Sequence, residues 1–264
     1  MEAFNRAFLV MNLKMKFKNK LTYAFGLIVL SINCSSAAVI VQETFEYPDG
    51  NLNGQNGGIG FTAPWVVTTA STNNRLSTVQ NEALFSNPNG SNGTNDDNAS
   101  TAERAFTGFD SDIIQLELDY NLITDSEGVY QFNFTLLDTT GQEVFTAGIT
   151  NDTYSVTFAN GQSVSQNVNN SPFDDTLVIN LDLSSAISLL DVESSLPSLN
   201  TSGTPLTSNT SFDFSGGGQI QVSSLFLDQN QISIDNITLS IPEPSTFILG
   251  ISTVLFGLFQ RKRS

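Results

Sequence analysis

Apolar and polar residues alternate strictly from Ile114 to Tyr120, with Ile114, Leu116, Leu118 and Tyr120 on one side and Gln115, Glu117 and Asp119 on the other. The pattern returns in Tyr130, Phe132, Phe134 and Leu136, interleaved with Gln131, Asn133 and Thr135. A period of two over this length predicts strands with one face buried. Leu177, Ile179, Leu181 and Leu183 mark a further strand, and the β-branched run Val39 to Phe45 reads as the first. Strands are also expected over 75–79, 83–86, 103–106, 143–149, 154–158, 220–227 and 232–239. Turn chemistry separates them: Asp125-Ser-Glu-Gly128, Asp138-Thr-Thr-Gly141, and Asn160-Gly161, the strongest hairpin signal in the chain. Residues 184–192 read as a short helix and 194–209 as a loop. About a dozen short strands with almost no helical periodicity predict an all-β, two-sheet antiparallel sandwich spanning 39–240 as one domain, without internal repeats.

The two ends follow other patterns. Lys14, Lys16, Lys18 and Lys20 precede an apolar run from Leu21 to Ile32 and the small residues Ser36-Ala37-Ala38, so residues 1–38 read as a secretory signal peptide with a helical apolar core, cut after Ala38. Met11 or Met15 would serve as the start as well as Met1. Cys34 invites a lipoprotein reading, but Asn33 stands where a lipobox wants a small residue. At the other end, Pro242-Glu243-Pro244 is followed by an uncharged apolar segment from Phe247 to Phe259 and the cluster Arg261-Lys262-Arg263. That segment is short for a bilayer, which takes about 20 apolar residues, and its basic end should stay cytoplasmic.

These three parts, joined in this order over 241–264, closely resemble the PEP-CTERM sorting signal of exopolysaccharide-producing Gram-negative bacteria. The resemblance implies recognition by an exosortase, a membrane-embedded cysteine protease, with cleavage at or near Pro242-Glu243-Pro244 after transient tethering to the inner membrane by a short C-terminal helix. A plain membrane anchor preceded by a rigid linker is the simpler alternative. The opening of the body, Glu43-Thr-Phe-Glu-Tyr-Pro-Asp-Gly-Asn-Leu-Asn-Gly-Gln-Asn-Gly-Gly58 followed by Phe61 and Trp65, resembles PEP-CTERM proteins whose body looks like a concanavalin A-like or laminin-G-like jelly roll.

Charge and composition narrow the chemistry. Of ten Lys and Arg, only Arg75 and Arg104 lie within the body, whereas of 26 acidic residues only Glu2 and Glu243 lie outside it. An excess of about 22 negative charges leaves nothing to neutralise phosphates, so nucleic acid is excluded as a partner. Histidine is absent, and the one cysteine lies in the signal. Ser/His/Asp and Cys/His catalysis and the usual zinc sites are therefore excluded, and no disulfide staples the body.

Carboxylates remain. The β-jelly-roll glycosidases carry E-x-D-x-x-E or E-x-D-x-E on one strand, whereas Glu117 and Asp119 are followed by Asn121, so the pair reads as a solvated strand face. Glu46, ending the first strand, and Asp235, in the last, are candidate ligands for a structural calcium ion. The loop from Asn87 to Asn98 has oxygen ligands but no EF-hand spacing and reads as solvated. Tyr47, Phe61 and Trp65 cluster near glycine-rich turns and are candidates for stacking on sugar rings, against a core role for the lone tryptophan. The expectation is a non-enzymatic, exported structural or carbohydrate-interacting protein of the cell surface or extracellular matrix. A carboxylate-dependent glycan hydrolase or lyase and a protein-binding adhesin are the alternatives.

The intact mass of the protein from its host is expected to end between Pro242 and Ser245. A mass that retains Arg261-Lys262-Arg263, with the exosortase present or deleted, would identify the tail as a plain anchor.

Overall fold

In the computed structural model, the described residues are 37–69, 75–86, 99–123, 130–150, 152–168, 172–201, 203–226 and 231–242. The signal segment, the Pro-Glu-Pro motif beyond Pro242, the apolar tail, its basic end and the Asn87–Asn98 loop lie outside them. Ala38 to Pro242 forms one compact unit. Among the described residues no helix is long and apolar enough to cross a membrane.

Two antiparallel sheets make up this unit. The first, sheet A, has the order β14 (Leu206–Ser208), β13 (Ser188–Glu193), β12 (Phe173–Asp182), β7 (Ile113–Ile123), β16 (Gln231–Ile241), β5 (Glu82–Ser86), β4 (Arg75–Val79) and β2 (Gly50–Asn51), with β1 (Ala38–Glu43) also paired to β16. Sheet B has the order β11 (Ser163–Asn167), β10 (Thr153–Phe158), β9 (Glu143–Thr150), β8 (Tyr130–Leu137), β15 (Gly218–Phe226), β6 (Ala99–Phe106) and β3 (Val66–Thr69). The all-β, two-sheet expectation holds.

The alternating positions supply the core. Ile114, Leu116, Leu118, Tyr120 and Leu122 of β7 are buried, as are Phe132, Phe134 and Leu136 of β8. Tyr120 meets Phe132 and Tyr154 edge-on, with ring centroids 5.6 Å and 5.5 Å apart, the geometry that places a ring's positive edge against its neighbour's negative face. One expectation is corrected. Most of the stretch read as a helix is strand β13, in which Ser188, Leu190 and Val192 are buried in alternation and pair with β12 and β14. Its serine-rich start and adjacent leucines imitate a helical spacing, but a partner on each side decides for the strand.

A buried ion pair links the sheets. Glu43, the last residue of β1 in sheet A, accepts from Arg104 of β6 in sheet B, and each is only 1% exposed. Every part of the pair is matched. Glu43 Oε2 also accepts from Trp65 Nε1 at 3.0 Å and Tyr47 Oη at 2.7 Å, while its Oε1 accepts the Phe45 N–H at 3.0 Å. Arg104 donates Nε to the Ala63 carbonyl at 2.9 Å and Nη2 to Asn56 Oδ1 and the Gly57 carbonyl, and lies 3.9 Å from the Phe61 ring centroid. The glycine-rich segment after β1 thereby folds back over it. At Gly60, with φ at +80°, a Cβ would stand 1.9 Å from the Ile40 carbonyl oxygen, so only glycine fits.

Arg104→Ala is expected to cost about 3–5 kcal/mol, because Glu43 is left charged and buried. The double substitution Glu43→Leu with Arg104→Met is expected to recover only part of that loss, because the buried Trp65 indole N–H is left without its acceptor. Chemical denaturation checks both, and a single variant as stable as the parent would remove the ion pair from this role.

Candidate functional site

The aromatic residues expected to stack on sugar are engaged elsewhere. Trp65 is 1% exposed, stacks on Phe45 at 5.9 Å and spends its indole N–H on Glu43. That is a core position, and the stacking role is corrected for it. Phe61 is partly buried and lies against the Arg104 guanidinium. Tyr47 donates to Glu43 and accepts from Arg104 and the Gly57 N–H. Burial first, then its hydrogen bond to Glu43 and the charge of that carboxylate, push its phenol above the ordinary value.

The calcium expectation fares differently for its two residues. Glu46 is exposed beyond the end of β1. Asp235 sits inside β16, where the carboxylate of β1 that bears on it is Glu43 rather than Glu46. Phe45, two residues past the end of β1 and with φ at +48°, lies between Glu43 and Glu46 along the chain. Among the described residues no group of three or more Asp, Glu, His or Cys is arranged to hold a metal ion.

Asp235 belongs instead to a groove on the outer face of sheet A. The cavity is about 570 Å³ and is lined by Glu82, Asp119, Tyr120, Asn121, Asp174, Asp175, Thr176, Ser195, Ser233 and Asp235. Strand register explains the set. Asp119 of β7 lies opposite Asp235 of β16 and Thr176 of β12, and one row along Asn121 lies opposite Ser233 and Asp174. These are outward positions of strands whose alternate residues, Leu118, Leu122, Leu177, Ile232 and Ile234, fill the core.

The sheet is interrupted beside Asp235. β5 pairs with β16 over Gln231 to Ile234, and β1 pairs with it from Ile237 onward. Between them β16 bulges, its register to β7 shifting between Asp235 and Thr238, and Asn236 adopts a left-handed φ of +50°. Bulges re-aim side chains and recur beside functional sites. Here Asn236 serves both acids, donating its backbone N–H to Asp235 Oδ1 at 2.7 Å and its amide to Asp119 Oδ2 at 2.8 Å. Thr176 donates to Asp119 Oδ1 at 2.7 Å. Burial first, then the charges of Glu82, Asp119 and Glu43, outweigh the Asn236 bond and raise Asp235 to about 6.

At the other end of the groove Asp175 is buried and accepts from Ser194 Oγ at 2.8 Å and from the Ser195 N–H and hydroxyl at 2.8 and 2.7 Å. Tyr120 and Tyr154 lie fully buried beneath, and desolvation pushes both phenols well above the ordinary value, so neither offers a base. Ser233 also lines the groove, at 3% exposure.

The sequence points to Asp119 and Asp235 separately, and the structure makes them cross-strand neighbours. Glu82, Asp174, Thr176 and Ser233 were missed as site residues. The Asp235-Asn236 step, able to take a positive φ within an otherwise regular strand, was the signal that could have found the bulge.

No family model matches the chain, and no curated protein matches it. Among solved structures, a sialidase is similar over 68% of this chain at 10% identity and a TM-score of 0.46. The CBM2 module of the evolved Dit of Lactobacillus casei BL23 phage J-1 is similar over 78% of this chain and 96% of the module, at 12% identity and a TM-score of 0.46. SCLam, a non-specific endo-β-1,3(4)-glucanase from family GH16, is similar over 78% of this chain and 91% of its own, at 9% identity and a TM-score of 0.46. The chain spans 17% of the sialidase. None of these likenesses carries a residue role, ligand or activity over to this chain.

Asp235→Asn is expected to stabilise the protein at pH 7.5. A carboxyl raised in the folded state holds its proton while the unfolded chain has released it, so stability falls as pH rises from about 4 to about 6 and stays lower above. With the group partly solvated and screened, the amide should gain on the order of 1 kcal/mol, about 2–4 °C in Tm. The gain should vanish below pH 4. An equal effect at pH 4 and pH 7.5 would show that charge is not its cause.

Proposed function

We propose that this chain is an exported β-sandwich, sorted through its Pro242-Glu243-Pro244 signal to the cell surface or extracellular matrix, that engages glycan in the groove on sheet A without a catalytic step. The observation that carries the reading is the groove itself: a pre-formed cavity of about 570 Å³ floored by Ser233 and Asn121 and walled by carboxylates, on an outer sheet face. Hydroxyl, amide and carboxylate groups at fixed strand positions are the partners that ring hydroxyls need, and rigid strands hold them with little ordering cost on binding. The sorting signal and the absence of histidine support the same placement among matrix components rather than among hydrolases of the usual kinds.

A second reading, a carboxylate-dependent glycan hydrolase or lyase, is favoured by one observation. Asp119 and Asp235 face each other, and Asp235 is raised to about 6, within the range of a general acid. One assay separates the two. Incubated with the host's exopolysaccharide, the protein is expected to be retained on the polymer and to release no reducing ends or unsaturated products. Asn121→Leu, which fills the groove from an outward position, is expected to cut retention at least tenfold. Product release abolished by Asp235→Asn would establish the enzyme instead, and a lack of retention would remove the glycan reading.

A further inference from the structure

We propose that Asn56-Gly57 is a self-modifying site, at which the Asn56 side chain closes on the Gly57 nitrogen to a succinimide, loses ammonia and opens with water to an aspartate. The site lies in the glycine-rich segment beside the buried ion pair, apart from the groove.

The reaction asks three things of its surroundings: a backbone N–H able to give up its proton, a side-chain carbonyl polarised toward attack, and water. Gly57 donates its N–H to Tyr47 Oη at 3.1 Å, and that hydroxyl donates to Glu43 Oε2 at 2.7 Å. A proton leaving the amide therefore has a path through a hydroxyl to a carboxylate. Burial, then the hydrogen bond to Glu43, raises the Tyr47 phenol, so it passes the proton on rather than standing as a phenolate. On the other side, Arg104 Nη2 donates to Asn56 Oδ1 at 3.1 Å, and a guanidinium there stabilises the oxyanion that forms at Cγ. The same nitrogen holds the Gly57 carbonyl at 2.7 Å, so one group positions both reacting residues. Asn56 is exposed, which admits water for the second step. No other residue fits at Gly57, where a Cβ would stand 2.8 Å from the Tyr47 ring.

Two further Asn-Gly steps among the described residues lack this wiring. Gly54 donates its N–H to the Trp65 carbonyl and Gly161 to the Phe158 carbonyl, each at 2.8 Å. A carbonyl has no proton of its own to hand on, so it cannot act as a relay. Asn53 Oδ1 and Asn160 Oδ1 accept from the uncharged backbone N–H groups of Val67 and Gln162. Among the described Asn-Gly steps, Asn56 alone faces a cation on its carbonyl and a relay on the nitrogen that attacks it.

Water is the one reagent consumed. The Gly57 nitrogen bonds to Asn56 Cγ while its proton moves through Tyr47 toward Glu43. The Cγ–Nδ2 bond then breaks, and the proton returns to the leaving nitrogen, which departs as ammonia. Water adds at Cγ, the carbon that Arg104 still polarises, and the ring opens to an ordinary aspartate rather than to isoaspartate. Arg104 thereby gains a second carboxylate beside Glu43, and its bond to residue 56 becomes charge-assisted on both sides. The segment over β1 is fastened more tightly after folding than during it.

The test is peptide mapping by mass spectrometry of the full chain, held native in a non-ionic detergent or unfolded in urea and sampled over days. Native Asn56 is expected to convert on the order of tenfold faster than in urea, while Asn53 and Asn160 convert more slowly native than unfolded. Tyr47→Phe removes the relay and leaves Glu43 its bonds to Arg104, Trp65 and the Phe45 N–H. In that variant Asn56 should convert no faster than in urea, with Asn53 and Asn160 still protected, which shows the fold intact. The native product should be mainly aspartate, read by a protease that cleaves before aspartate and not before isoaspartate. A native rate at Asn56 no higher than the rate in urea overturns the proposal, as does a Tyr47→Phe chain that converts as fast as the parent. A native product that is mainly isoaspartate overturns the part given to Arg104 in opening the ring.

Discussion

Glu43 and Arg104 are the one oppositely charged pair that crosses from sheet A to sheet B among the described residues, and the local architecture follows from burying them. A buried carboxylate and guanidinium are tolerable only when every remaining lone pair and N–H is matched. That requirement recruits Trp65, Tyr47, Asn56 and the carbonyls of Gly57 and Ala63, so the glycine-rich segment has to lie where it does. It also fixes where β1 stops. Since β1 stops at Glu43 and β5 begins at Glu82, β16 is left with a short unpaired interval on one side, and the bulge that carries Asp235 occupies it. The groove is thus a downstream result of how the ion pair is satisfied.

The same dependence explains the electrostatics. The negative end of the ion pair lies close enough to act on Asp235, together with Glu82 and Asp119. Strand geometry puts these carboxylates together, and the fold tolerates the repulsion because Asn236 and Thr176 donate to two of them. A sheet built for stability alone would place a lysine opposite one of these acids. That it does not is a local conflict of the kind expected where a surface has a second task.

Much of the fold was legible because alternation is a local signal: β7, β8 and β12 could be read from a few residues each. Strand β13 was not, since its buried residues are defined by partners from β12 and β14 rather than by anything within Ser188–Glu193. The polar edge strand β11 offers no apolar face to read. Trp65 was ambiguous because burial of a tryptophan near a turn depends on whether its N–H finds a partner, and that partner, Glu43, lies 22 residues away. The groove was hardest, since Asp119 and Asp235 are brought together by a long-range register and a bulge that composition does not reveal.

Ala38 pairs with Ile241, so the first strand of the body completes a sheet with the last. The contact with the greatest sequence separation in the unit is therefore among the final ones available to a chain emerging from its N-terminus. Pairings of such separation close late, because the loop entropy must be spent before the contact repays it. β1 and its ion-pair carboxylate wait, unpaired in their sheet, until β16 has arrived. The ordering works as a timer: the sandwich latches only once β16 is free to pair, and until then the open chain stays slack.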